Sequence, residues 1–217
     1  MVNERLQYQD SAAGIPVSAF DCLTAILWKA IIRARWPPNT MDGGQASALL
    51  HTVSIRNRID PPLDNNFFGN ACLFAYCNST VLRLGMPIDI STIRDAARLV
   101  RRGISNLTER KVRSAIVLIN SRDDVRSVNH PHIDFGNDVF VTSWADLPVG
   151  NEAGLGLGLG AAEFGRKPSR QHSAYGCNVL PLREEEGIWE VLVQLSEDAM
   201  DRLLEDPGLK RFVVRVA

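Results

Sequence analysis

Several features that would assign a function at once are missing from this sequence. No run of 18 or more apolar residues is present, which excludes a helical membrane span. No Gly-Lys-Ser/Thr triplet follows any glycine cluster, so there is no phosphate-cradling P-loop. Charge of either sign is in short excess: 24 Lys and Arg face 25 Asp and Glu, a net charge of -1. That balance gives no global drive toward nucleic acid or an anionic membrane. Cysteines are few and scattered, Cys22, Cys72, Cys77 and Cys177, with no Cys-x-x-Cys pair. They read as buried free thiols of a reducing compartment rather than a disulfide or zinc site. The N-terminal stretch Met1-Val2-Asn3-Glu4-Arg5-Leu6-Gln7 is polar and acid-containing, unlike a signal peptide, and the expected compartment is the cytoplasm.

What is present is enough for one large domain. A chain of 217 residues, 45% of them hydrophobic, can bury a sizeable core. Residues 1–15 are polar and predict a frayed segment; residues 16–217 form the domain. Ser18 with Asp21 three residues on predicts a helix start. Phe20, Leu23, Leu27, Ile31 and Ala34 then share one helical face, and Pro37-Pro38 ends it. From Ala48 to Arg58 two faces alternate, His51, Val53 and Ile55 against Leu50, Thr52, Ser54, Arg56 and Arg58, which predicts a strand with one polar face. Asp60-Pro61-Pro62 breaks it, and Gly69–Thr80 reads as the next strand. Ser91–Ile104 predicts an amphipathic helix with Ile93, Ala97, Val100 and Ile104 inward. A second helix starts at Thr108 and Glu109 and carries Val112, Ala115, Ile116 and Ile119. Asp138–Ser143, Val179–Leu182 and Ile188–Leu195 predict strands, the last two paired. Ser196 starts a helix through Glu205, and Lys210–Val216 reads as a last strand. This order suits an α+β domain with a mixed, mostly antiparallel sheet and helices packed on it.

The chemistry-bearing residues divide into decoys and candidates. The stretch His130-Pro131-His132-Ile133-Asp134 formally satisfies His-x-x-x-Asp. A general base needs a fixed position within hydrogen-bond reach of its substrate, and Asn129 and Pro131 put these residues in a connecting loop. The same loop placement and the lack of a fourth ligand argue against a metal site. The run Gly154-Leu155-Gly156-Leu157-Gly158-Leu159-Gly160 lacks the strand, helix and Gly-x-Gly-x-x-Gly spacing of a dinucleotide fingerprint. Between Arg94 and Arg126 basic residues outnumber acidic ones. Such a patch can hold phosphates, though charges of this kind are usually solvated helix faces.

Three segments point elsewhere when taken together. They are Val17-Ser18-Ala19-Phe20-Asp21 through Leu27-Trp28-Lys29-Ala30, then Val53-Ser54-Ile55-Arg56-Asn57-Arg58-Ile59-Asp60-Pro61-Pro62-Leu63 with Phe68-Gly69-Asn70, then Val141-Thr142-Ser143-Trp144-Ala145-Asp146-Leu147-Pro148. In this order and at these separations the chain, from about residue 15 on, resembles the second half of the BAHD acyltransferases, especially the fungal branch with the trichothecene acetyltransferases. The resemblance implies one copy of the chloramphenicol-acetyltransferase-like fold. It implies acyl-CoA as co-substrate with no bound cofactor and no metal. Its acceptor would be a small hydroxyl- or amine-bearing metabolite. The family's catalytic His-x-x-x-Asp-Gly motif belongs to the first half, so no catalytic residue is assigned here.

Thr142, Ser143 and Trp144 match the strand end that faces the family's channel. A hydroxyl there can donate to an oxyanion, and an indole gives a flat apolar wall. The alternative is that Trp144 simply plugs the core. Glu152 and Gly154 stand where the family has Asp-Phe-Gly, a structural loop whose carboxylate pairs with an Arg of the strand matching Arg56 to Arg58. Ala162-Glu163-Phe164-Gly165-Arg166-Lys167-Pro168 resembles the continuation in fungal members. Two other readings stay open. The chain is an inactive remnant acting as a binding module, or it is one subunit of a split enzyme whose further partner is a separate N-terminal half-domain.

Overall fold

The computed structural model describes residues 16–41, 44–64, 66–128, 134, 136–147, 176–181 and 188–213. Five strands form one sheet: β1 (Ala46–Ser54), β2 (Cys72–Thr80), β3 (Val139–Ser143), β4 (Gly176–Val179) and β5 (Val191–Val193). Their order is β2-β1-β3-β4-β5. The mixed sheet expected from the sequence is present. Its antiparallel ladders are the two outer ones, β1 with β2 and β4 with β5, while β1–β3 and β3–β4 run parallel. The helices are α1 (Ala19–Arg35), α2 (Val81–Gly85), α3 (Ile90–Ser105), α4 (Glu109–Asn120) and α5 (Glu197–Glu205).

The cap of α1 forms as the residues dictate. The Ser18 hydroxyl accepts the Asp21 N–H at 3.2 Å, and the Asp21 carboxylate accepts the Ser18 N–H at 2.6 Å, a reciprocal capping box. Two helices begin where Thr108 and Ser196 were expected to cap them, yet neither side chain makes a capping bond. Helix α1 is buried on more than the one expected face. Leu27, Ile31 and Ala34 are buried, and so are Cys22, Ile26, Ala30 and Ile32 behind them. The reason is its central place: the sheet lies under it, and α2, α3 and α5 pack around it. Such a helix is apolar nearly all round because every side has a neighbour. Burying Trp28, Ile31 and Ile32 completely contributes roughly 1.5–3 kcal/mol each.

Strand alternation decides what meets these helices. Trp28 donates its indole N–H to Ser47 Oγ at 2.9 Å, and Phe20 meets His51 edge-on with ring centroids 5.3 Å apart. Helix α1 therefore runs along Ser47, Leu49, His51 and Val53. Helix α3 presses on the same face through Gly103, where a Cβ would stand 2.8 Å from the Tyr76 carbonyl oxygen. Leu50, Thr52, Phe74, Tyr76, Phe140 and Thr142 alternate onto the opposite face, where no described helix packs.

Three expectations are corrected, at β1, at β4 and after α5, and one burial pattern, that of α4, is settled. Strand β1 ends at Ser54, because Arg58 N–H bonds the Ile55 carbonyl and turns the chain; Arg56 and Arg58 thus lie beyond the strand, not on its polar face. Strand β4 is Gly176–Val179 rather than Val179–Leu182, since Pro181 has no N–H to give a ladder. In α4 only Val112 is fully buried, and Ile116, Val117 and Leu118 are exposed. Leu209–Arg211 is a 3-10 turn, not the start of a strand: Asp206 accepts the N–H groups of Gly208 and Leu209 on its carboxylate and that of Lys210 on its carbonyl, which curls the chain. Residues 214–217 lie outside the described residues.

Candidate active site

The site begins at the carboxyl ends of the parallel strands β1, β3 and β4, the edge at which open sheets bind ligands. Thr142 sits at the end of β3, half-buried, on the face free of described helices. Its neighbours there are Asn178, directly beside it in the β3–β4 register, and one step back Phe140 and Gly176. Phe140 packs edge-on against Phe74 of β2, centroids 5.5 Å apart. Leu192 of β5 pairs with Asn178, and Leu50 of β1 pairs with Phe140. The result is an apolar floor carrying a hydroxyl and an amide side by side.

The three residues expected to bind substrate do not act alike. Ser143 pairs with Val179, on the face turned to the helices, and its hydroxyl accepts the Ala145 N–H at 3.2 Å. It shapes the turn that leaves the strand. Trp144 continues the ladder with its N–H on the Val179 carbonyl at 2.8 Å and receives the Leu147 N–H on its own. This fixes its backbone and returns it by alternation to Thr142's side, half-buried.

Among the described residues the one buried histidine stands behind the sheet. His51 is 6% exposed, and its Nδ1 lies 2.7 Å from the Thr52 carbonyl, so Nδ1 carries the proton and donates. Nε2 has no partner. Burial, the largest cause, pushes its pKa down; the bond to Thr52 and the Asp21 charge oppose this. His51 is thus a neutral side chain on the face opposite Thr142 and cannot serve as a base there.

His130, His132 and His172 lie outside the described residues. Asp134 is described, and both its oxygens are spent in its own turn: Oδ1 accepts the Gly136 N–H and Oδ2 the Asn137 amide. No cluster of three or more His, Cys, Asp or Glu able to hold a metal occurs among the described residues.

Arg56 and Arg58 shape the turn after β1. Arg56 donates through Nη2 to the carbonyls of Phe67 and Gly69, at 3.4 and 3.0 Å, and lies over the Phe67 ring. Arg58 donates through Nη1 to the carbonyls of Ile104 and Leu107, both at 3.0 Å, covering the carboxyl end of α3, where a cation is favoured. Glu152, Gly154 and the segment 162–168 lie outside the described residues. Four of the basic residues between Arg94 and Arg126 are tied to acids: Arg101 to Asp21, Arg113 to Glu109, Arg126 to Asp124 and Arg98 to Asp95. No described helix is long and apolar enough to cross a membrane.

Sequence reading did not find Asn178, because the strand that holds it was placed three residues late. Phe74 and Phe140 were visible as strand residues, but their pairing depends on register, which sequence alone does not set.

Comparisons with known proteins bear on the family and the fold. The sequence profile of the Transferase family matches residues 3–209. The eremophilane O-acetyltransferase prx11 of Penicillium rubens is 33% identical over 208 residues, covering 94% of this chain and 42% of the relative. The eremophilane O-acetyltransferase ORF8 of Penicillium roqueforti is 32% identical with the same coverage. The chain therefore spans less than half the length of these relatives. Among solved structures, Fusarium graminearum TRI101 complexed with coenzyme A and T-2 mycotoxin superposes with a TM-score of 0.82 at 22% identity, over 97% of this chain and 46% of that one. Vinorine synthase superposes at 0.62 and 16% identity.

Proposed function

The chain belongs to the Transferase family, the BAHD acyltransferases, and from that membership we propose that it forms the acceptor-side half of an acyl-CoA-dependent O- or N-acyltransferase of secondary metabolism. The observation that carries the reading is Thr142, set at the end of β3 on the helix-free face above an apolar floor. The names of the fungal relatives point to terpenoid-like acceptors, eremophilanes for two of them and a T-2 mycotoxin complex for the solved neighbour.

In this reading the general base is the histidine of a His-x-x-x-Asp-Gly half, in cis or on a separate subunit. It takes the proton from the acceptor hydroxyl or amine as the acceptor attacks the thioester carbonyl carbon. The new C–O or C–N bond forms, the tetrahedral oxyanion collapses, and the C–S bond breaks. The coenzyme A thiolate leaves and recovers the proton from the imidazolium. Thr142 donates its O–H toward the oxyanion, and Trp144 walls the channel.

The test is turnover with acetyl-CoA and a panel of hydroxylated sesquiterpenoids. The chain alone is expected to give no more than trace transfer. Supplying a family first half, fused or separate, is expected to restore it, and Thr142→Val in that pair should lower kcat by about 10²-fold. Robust transfer by the chain alone that is lost in His130→Ala overturns the reading. A well-folded pair that stays inactive favours the inactive binding module.

A further inference from the structure

Asn178 is the residue that the fold singles out and the proposed chemistry leaves unused. It is 4% exposed, in a strand whose other members are glycine, cysteine and valine. Buried polar side chains are kept when they are hydrogen-bonded, and most here obey. Asp21 holds Arg101, Lys29 holds two carbonyls, Ser47 holds Trp28, Asp138 holds the Ala48 N–H and Asp206 holds Arg33. The Asn178 amide makes no hydrogen bond with the described residues, so among them its donor and acceptor are unused.

Its position gives that amide a purpose. Asn178 is the register partner of Thr142 on the parallel β3–β4 ladder, so the two side chains leave the same face of adjacent strands about 4.8 Å apart. One step back on that face Gly176, which contributes no side chain, stands beside Phe140, and Phe140 packs against Phe74. Leu192 bounds the other side.

We infer that Asn178 is a specificity-determining residue of the acceptor site. It grips a second oxygen function of the acceptor while the reacting oxygen lies at Thr142. This rests on the acyltransferase reading and narrows its substrate class. The acceptor is an apolar alcohol with a second oxygen function, a hydroxyl or carbonyl, within about 5 Å of the acylated oxygen. The amide suits either of these, since its NH₂ donates and its carbonyl accepts. A site built to bond such an oxygen rejects the analogue that lacks it, because the protein group is then left unpaired.

The experiment is a binding titration of the chain with two probes, a sesquiterpenoid diol and the mono-ol lacking its second hydroxyl, followed by NMR. The unsubstituted chain is expected to prefer the diol by roughly five- to tenfold. Asn178→Leu should erase that preference without weakening the mono-ol. Asn178→Thr, a polar residue suited to a strand, should retain part of the preference and guards against a misfolded leucine variant. Thr142→Val should weaken both probes equally. A diol preference that survives in Asn178→Leu overturns the inference and leaves the acyltransferase reading standing. Failure of both probes to bind the unsubstituted chain overturns both.

Discussion

Arg101 of α3 closes on the Asp21 carboxylate at the start of α1, its Nη2 2.6 Å and its Nε 2.8 Å from the same oxygen. Asp21 is wholly buried, its other oxygen has no partner, and Arg101 also donates to the Ser18 hydroxyl. One guanidinium thus ties the cap of α1 to α3. Removing the arginine strands a buried charge, whereas removing the acid leaves a cation that water can reach. Arg101→Met is therefore expected to cost about 3 kcal/mol, and Asp21→Asn about 1–2 kcal/mol, mostly through the cap. Urea denaturation of the two variants checks the order; equal costs would mean the ion pair is not what joins these helices.

Lys29 gives the chain an unusual alkaline dependence. It is buried in α1, and its ammonium donates to the carbonyls of Leu84 and Met86 at 3.1 and 3.0 Å. Burial first, then the nearby Arg33 charge, brings its pKa from 10.5 down to about 8. Between those values the unfolded chain binds a proton that the native chain has released. Stability from this group therefore rises with pH across the window from about 8 to 10.5, by at most about 3 kcal/mol. Native thiols with raised pKa push the other way above pH 9, so the difference between the parent and Lys29→Met isolates the lysine. Parallel curves for the two across that window would refute the assignment.

Much of the helical layer was legible in the sequence, because its signals are local. Ser18 with Asp21, the Ile93–Ala97–Val100–Ile104 stripe and Pro207-Gly208 each act within a few residues. The misreadings have one physical source. Val179–Leu182 and Lys210–Val216 have strand-like composition, but pairing partners and the Asp206 carboxylate decide the conformation of their described residues, Val179-Leu180-Pro181 and 210–213. The candidate site is less legible still. Thr142 stood out only through resemblance, and Asn178 becomes meaningful only once β3 and β4 are set in register.

The four thiols should separate cleanly in a native labelling experiment. Burial raises Cys22 to about 11 and Cys77 and Cys177 to about 12, and all three are buried. A thiolate, not a thiol, is the nucleophile. Cys72 is only half-buried, with its Sγ toward Asn70. One equivalent of thiol reagent should therefore react at pH 8, at Cys72, with the rest appearing on unfolding. Mass mapping that finds Cys177 labelled in the native chain would show β4 opening far below the global unfolding free energy.

The last expectation concerns Glu152 and its partner. The family pattern pairs the loop carboxylate with an arginine of the Arg56–Arg58 segment, and we propose Arg56. Arg58 is committed, for its Nη1 bridges two carbonyls at the end of α3. Among the described residues Arg56 donates only through Nη2, to Phe67 and Gly69, so its Nε and Nη1 remain able to take a carboxylate in the planar, two-bond manner for which arginine is suited. Arg56 is half-exposed beyond the end of β1, and water therefore screens the pair. The coupling should be about 1 kcal/mol or less, rather than the roughly 3–5 kcal/mol of a buried partner left alone. A double-mutant cycle reads this directly. Glu152→Gln, Arg56→Met and the double variant are compared by denaturation, with Arg58→Met as the second axis. Coupling confined to Arg56 supports the pair. Coupling to Arg58 instead moves the loop anchor to the end of α3, and additivity with both arginines means that the change from Asp-Phe-Gly to Glu152-Ala153-Gly154 has dissolved the anchor.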